Sequence, residues 1–318
     1  GSEMCIRDSW GGERIIPYKE LASGLSRVGE SWELSGMPGS ESVVAEGPWA
    51  GSTLSELIGR FGAELLGKAN YARFGQEFPL LVKFIDARED LSIQVHPDDE
   101  LARKRHGKSG KCEMWYVLEA EPGASLLTGF SRPIAPAEYE RRVADNTLTD
   151  VLNRQAIASG DVFYLPAGRV HSIGKGSFIV EIQQSSDITY RIYDFDRRDA
   201  AGNSRELHTE LAREAIDFES SENSRITYAP ENNQEVRLVT TPYFTTSLYT
   251  LTARTRCDWS ATDSFVAIVL LQGSGSLTDN EGNRIDVRQG ETWLLPASTQ
   301  WTEITPHTAP LRLLTSRI

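Results

Sequence analysis

The chain has 318 residues, a net charge of -12 and a pI near 5.0, enough length for one large or two ordinary domains. Its acidic balance disfavours nucleic acids and anionic membranes as partners, because both are bound through basic surfaces. The three cysteines, Cys5, Cys112 and Cys257, are odd in number and form no C-x-x-C pair, which argues against a disulfide framework and for a reducing, cytoplasmic setting, and no apolar run approaches the roughly 20 residues of a membrane span.

The first nine residues are set apart from the pattern that begins at Trp10. Over residues 10–49 short strand-like runs alternate with Gly and Pro and read as the edge of a β domain. Residues 52–58 start with an available cap and place apolar side chains at helical spacing, continuing through a second segment at 62–66. Residues 78–85 form an apolar strand carrying Lys83. In Leu91-Ser92-Ile93-Gln94-Val95-His96-Pro97, apolar and polar residues alternate, so Ser92, Gln94 and His96 share a face until Pro97 ends the strand. Residues 98–110 read as a charged loop in which His106, among Arg103, Lys104, Arg105 and Lys108, is solvated. On the next strand Lys111 and Glu113 align with Trp115 and Val117, so two charged groups share a core-type face.

Residues 135–153 have helix-compatible composition and are expected to cap a barrel mouth. In the stretch 160–171, Gly160, Pro166, Gly168 and His171 follow the spacing G-x5-P-x-G-x2-H: a strand, a tight turn that needs a positive φ at Gly168, and an imidazole opening the next strand. Residues 178–183 form a strand with Ile179, Glu181 and Gln183 on one side. Glu181 is unusual there, although a carboxylate on an edge strand is common. Thr189, Arg191 and Tyr193 also share a face, and by itself Arg191 reads as a surface residue. Residues 200–234, rich in Asn, Glu and Ser, read as a linker with one helix near 208–216, where His208 is no ligand. From Val236 onward strands and turns return. Gly290 and Pro296 repeat G-x5-P, but Ser298 replaces the later Gly and Trp301 stands where the His would be. His307 has no evident partner.

A borderline divalent ion takes imidazole nitrogen with carboxylate or amide oxygen, and Gln94, His96, Glu113 and His171 supply that set. Ligands so far apart in sequence converge most readily in a closed sheet, where inward residues of neighbouring strands meet. The fold expected is therefore mostly β, with a few short helices. His96, Glu113 and His171 alone also form the two-histidine, one-carboxylate set that can hold iron for dioxygen chemistry.

The G-x5-P-x-G-x2-H turn resembles the second signature of cupin barrels. Together with Ser92-Ile93-Gln94-Val95-His96-Pro97 and Lys111-Cys112-Glu113, it resembles the metal region of class I mannose-6-phosphate isomerases. Trp10-Gly11-Gly12, Gly29-Glu30-Ser31-Trp32-Glu33 and Ser186-Asp187-Ile188-Thr189-Tyr190-Arg191 are similar to that family's N-terminal and active-site segments in its compact bacterial form. The resemblance spans essentially the whole chain and is strongest over 78–196. It implies two cupin, or jelly-roll, barrels: a metal-binding catalytic barrel over 10–200, a linker over 201–235 and a degenerate, metal-free barrel over 236–318 that covers the first or completes a homodimer. It further implies one Zn2+ on Gln94, His96, Glu113 and His171, with Arg191 and Glu181 catalytic. Lys111 and Ser92 would bind the substrate, Lys111 most naturally its phosphate. The implied reaction interconverts mannose 6-phosphate and fructose 6-phosphate through a cis-enediol. A cupin oxygenase and a non-catalytic sugar-binding cupin are the alternatives.

Overall fold

The computed structural model describes residues 4–21, 24–198, 202–219 and 223–318. The part of the linker expectation that falls on 200–201 and 220–222 lies outside the described residues, as do the first three residues. The chain is mostly β and forms two successive jelly-roll barrels with short helices. The first is built from β1 (Met4–Gly12), β2 (Val28–Ser35), β3 (Leu80–Ala87), β4 (Ile93–Val95), β5 (Glu113–Ala120), β6 (Ser125–Phe130), β7 (Leu152–Ala156), β8 (Val162–Leu165), β9 (His171–Ile173), β10 (Ser177–Gln184), β11 (Tyr190–Tyr193) and β12 (Arg225–Ile226). Its seven-stranded sheet has the order β1-β2-β3-β10-β5-β8-β12, and its five-stranded sheet β11-β4-β9-β6-β7. β1 begins at Met4, which pairs with Trp32, so part of the segment set aside on sequence joins the sheet.

β10 is central rather than an edge, hydrogen-bonded along its length to β3 on one side and β5 on the other. Every residue of β3 and β10 is buried, and alternation explains how. Ile85, Trp115 and Ile179 point into the first barrel, while Val82, Phe84, Phe178, Val180 and Ile182 point out of it. The outward set meets Leu238, Phe244, Phe265, Ala267 and Leu314 of the second barrel in one continuous core. A sheet covered on both faces reads as near-continuous apolar sequence, which is why residues 78–85 show no alternation.

The second barrel comprises β13 (Val236–Thr240), β14 (Thr245–Leu251), β15 (Thr255–Asp258), β16 (Val266–Gln272), β17 (Ser274–Asp279), β18 (Arg284–Arg288), β19 (Thr292–Leu295), β20 (Trp301–Pro306) and β21 (Leu311–Arg317). The sheet β13-β14-β21-β16-β19 faces β15-β20-β17-β18. Trp301 opens β20 after the β19 turn as His171 opens β9 after the β8 turn; the Arg256 guanidinium lies 4.1 Å from the centre of its ring.

The helices follow their end signals. Thr53 and Glu56 form a reciprocal capping box at the start of Leu54–Phe61, and short helices Ala63–Leu66 and Lys68–Phe74 follow. Residues 98–110 are not a loop: they contain the helix Asp99–His106, capped by Asp98, acidic in its first turn and basic in its last. This charge order suits the helix dipole and outweighs the scarcity of apolar residues. His106 is exposed, as expected, yet its Nε2 lies 2.8 Å from the Tyr190 hydroxyl.

Residues 135–153 divide into the helix Pro136–Ala144, a 3-10 turn Leu148–Val151 and the start of β7. Tyr139, Leu148 and Val151 pack with Ile93, Val95, Tyr190 and Ile192. This segment therefore covers the outer face of the five-stranded sheet instead of the barrel mouth. The expected linker also folds back: Thr209–Ala215 is helical and buries Ala212 in that same cluster, and β12 pairs with β8. With the outer face of β4 under this apolar cover, its polar face lines the barrel interior.

Candidate metal centre and cavity

Strand register brings distant residues together. Gln94 of β4 stands opposite His171 of β9 and Arg191 of β11, while Glu181 of β10 stands between Lys83 of β3 and Trp115 of β5. The β8–β9 turn keeps the signature spacing. Gly168 has φ +85, and a Cβ there would lie 3.0 Å from the Ala215 carbonyl oxygen. Gly168 N–H donates to His96 O at 2.9 Å, and its own carbonyl accepts from Asp217 N–H at 2.9 Å. The turn glycine thus ties the end of one ligand-bearing strand to the start of the other.

His96, Glu113 and His171 form a buried cluster of metal-ligand type, with one donor atom from each within 4.8 Å of the others. Glu113 Oε1 is 3.2 Å from His96 Nε2, and its Oε2 is 3.4 Å from His171 Nε2. His96 Nδ1 lies 2.8 Å from Ile188 O and His171 Nδ1 lies 2.7 Å from Arg169 O. A carbonyl only accepts, so both protons sit on Nδ1 and both Nε2 lone pairs point at the carboxylate. Neither Nε2 has a hydrogen-bond partner. Two anchored imidazoles with unsatisfied lone pairs converging on a carboxylate are the arrangement of a metal site with its outer hydrogen bonds already made.

The electrostatics agree. Burial, with help from Lys111, pushes the His96 imidazole down to about 3, and burial likewise lowers His171, so both are neutral and ligand-competent. Burial alone would raise the Glu113 carboxyl, but Lys111, His96 and His171 outweigh it and hold Glu113 well below the usual range. The Lys111 ammonium lies 2.7 Å from Glu113 Oε1.

Beside this cluster is a cavity of about 200 Å³ whose wall includes Trp10, Ser92, Gln94, Lys111, Glu181 and Arg191. Trp115 Nε1 donates to Glu181 Oε2 at 2.9 Å, and Lys83 Nζ lies 3.2 Å from Glu181 Oε1 and 3.5 Å from Glu30 Oε2. Burial and the nearby Glu113 charge raise the Glu181 pKa, although Lys83 and Lys111 oppose them. Burial would lower Lys83, but Glu30 and Glu181 more than reverse it. The candidate site residues Ser92, Gln94, His96, Lys111, Glu113, His171, Glu181 and Arg191 are therefore in or beside one cavity. Glu30 and Arg205, which also line it, were not singled out. Only the family-like segment around Glu30 hinted at the first, and nothing in residues 200–234 marked the second. A larger groove of about 380 Å³, between Asp98–Lys104 and Glu214–Asp217, is lined by none of these groups.

Residues 6–127 match the family model described as phosphomannose isomerase type I, catalytic domain. Mannose-6-phosphate isomerase from Streptococcus mutans is 34% identical over 290 residues, covering 90% of this chain and 88% of its own. The probable mannose-6-phosphate isomerase GmuF of Bacillus subtilis is also 34% identical, over 91% of this chain and 90% of its own. Among solved structures, the mannose 6-phosphate isomerase from Bacillus subtilis superposes with a TM-score of 0.89 at 29% identity, over 100% of this chain and 98% of that one.

Proposed function

From the premise that the chain belongs to the type I phosphomannose isomerase family and is a mannose-6-phosphate isomerase, we propose that its first barrel interconverts mannose 6-phosphate and fructose 6-phosphate through a cis-enediol, with zinc held by His96, Glu113, His171 and Gln94. The observation that carries the metal assignment is the pair of buried, unsatisfied Nε2 atoms aimed at Glu113. Imidazole and carboxylate donors suit zinc, and the Gln94 amide, opposite His171 in the sheet, supplies a further oxygen. When bound, the ion supplies Lewis-acid charge to the substrate oxygens.

The remaining work falls to side chains of the cavity. Glu181 takes the proton from C2 of the open-chain aldose and returns it to C1, while the proton of the C2 hydroxyl passes to O1, so that the carbonyl moves from C1 to C2 with no net gain or loss of protons. It suits a proton shuttle because its raised pKa brings it nearer neutrality, while Trp115 Nε1 and Lys83 fix its orientation. Arg191 places positive charge beside the enediolate. Lys111 and Ser92 hold substrate oxygens. Trp10, Ile85, Leu91 and Ile173 form the apolar part of the wall and limit water around the developing carbanion. The sugar phosphate is the partner implied by this chemistry, and the acidic chain, with Cys112 and Cys257 free among the described residues, suits the cytoplasm.

The test is formation of fructose 6-phosphate from mannose 6-phosphate by protein as purified, after chelation and after zinc is restored. Activity lost and regained is expected. A zinc-loaded sample with no isomerase activity but with oxygen uptake after iron loading would turn the reading toward the oxygenase that the same two-histidine, one-carboxylate set could serve.

A further inference from the structure

The cavity wall carries four cationic side chains, Lys83, Lys111, Arg191 and Arg205. The two lysines are matched by carboxylates at the reacting end: Lys83 lies between Glu30 and Glu181, and Lys111 against Glu113. Arg205 is held differently. Its Nε donates to Asp194 Oδ2 at 2.8 Å and its Nη2 to Asp194 Oδ1 at 2.6 Å, a side-on fork that fixes the guanidinium plane. Asp194 also accepts from Arg197 Nη1 at 3.3 Å, whose Nε lies 3.9 Å from Glu89 Oε2, so the Arg205 guanidinium is set in a network of charged groups at this end of the cavity.

The segment bearing Arg205 is fastened to β11. His208 N–H donates to Arg191 O at 2.7 Å, Arg191 N–H donates to His208 Nδ1 at 3.2 Å, and Arg191 Nη1 donates to Glu206 O at 3.0 Å. Arg205 and Arg191 are therefore positioned by one hydrogen-bonded unit. In a chain of net charge -12, an anionic substrate has to be gathered by a local cationic site. A guanidinium locked in plane suits a phosphate better than a flexible ammonium does.

Resting on the sugar-phosphate reading above, we propose that Arg205 recognises the phosphate of the substrate and sets the preference for the phosphorylated sugar. The test compares zinc-loaded wild type, Arg205→Ala and Arg205→Lys on mannose 6-phosphate and on mannose, with inorganic phosphate as a competitive inhibitor. Arg205→Ala should raise KM for mannose 6-phosphate by about 10- to 100-fold, the loss expected for a hydrogen bond to a charged group. Its kcat should stay close to wild type, its kcat/KM for mannose should not change, and inhibition by phosphate should weaken in step with KM. Arg205→Lys should fall between, keeping the charge without the fork. A wild-type KM and phosphate inhibition in Arg205→Ala would overturn the assignment, and so would an equal loss on both sugars, as a misfolded variant would give. Wild type that fails to turn over mannose 6-phosphate would overturn the proposed reaction as well, whereas an active wild type with an unaltered Arg205→Ala would overturn only the role of Arg205.

Discussion

At the scale of single residues, the roles proposed for the site divide metal holding from turnover. His96→Ala or His171→Ala should abolish metal content and activity together, measured by elemental analysis and the isomerase assay. Arg191→Ala should keep the metal and lower kcat by roughly 100-fold, the size seen when one charge-stabilising donor is removed; full activity would end its catalytic assignment. Lys83 lowers the pKa of Glu181. Lys83→Met should therefore raise that pKa further and move the acid limb of the kcat/KM profile to higher pH, because Glu181 must begin as the carboxylate. The metal-free protein carries a pH signature too. His96 titrates near 3 when folded against an ordinary 6.5 when unfolded, so the unfolded chain binds more protons between those values. Stability should fall as pH drops through that window, read as a declining Tm after chelation. The ligand-type residues were legible in sequence because alternation and turn chemistry are local: Ser92, Gln94 and His96 share a face by period alone. Glu30 and Arg205 were not legible, since one arrives by sheet order and the other by a segment folded back onto β11.

At the scale of elements, the turn between β8 and β9 ties the His96 end of β4 to the start of β9 through the Gly168 N–H to His96 O hydrogen bond. Gly168→Ala would place a Cβ 3.0 Å from Ala215 O at φ +85, a strain of about 1–3 kcal/mol. The displaced turn also carries the hydrogen bonds to His96 and Asp217. A lower Tm and weaker metal affinity are expected together; a lower Tm with unchanged affinity would show that the turn supports the barrel but not the ligands. The strands were legible where one face is polar, and less so where both faces are covered. The helix Asp99–His106 was missed because its stability comes from Asp98 and the order of its charges rather than from an apolar stripe. Residues 135–153 showed helical composition, but their destination depends on the apolar outer face of β4 and β11, which composition does not specify.

At the scale of the whole molecule, the second barrel serves as the outer wall of the first. Phe265 lies 4.7 Å from Phe78, ring centre to ring centre, inside the shared core, so Phe265→Ala should cost about 3–5 kcal/mol. Metal-dependent activity should be lost at the same temperature as global structure; two separate transitions in calorimetry would show that the barrels unfold independently. Sequence marked the second barrel through its repeated G-x5-P, but the sheet on which it sits could not be read, because continuous apolar runs look alike wherever they are buried. The arrangement of β10 bears directly on attempts to alter the protein. Along this strand Glu181 and Gln183 alternate with Val180 and Ile182, one set turned to the interior of the first barrel and the other to the neighbouring barrel. Deleting or inserting one residue there would exchange the two sets, putting carboxylate and amide into an apolar seam and aliphatic groups into the cavity. Libraries that vary length should therefore spare Ser177–Gln184 and place their insertions in surface turns, while β10 itself accepts only replacements that keep its alternation in phase.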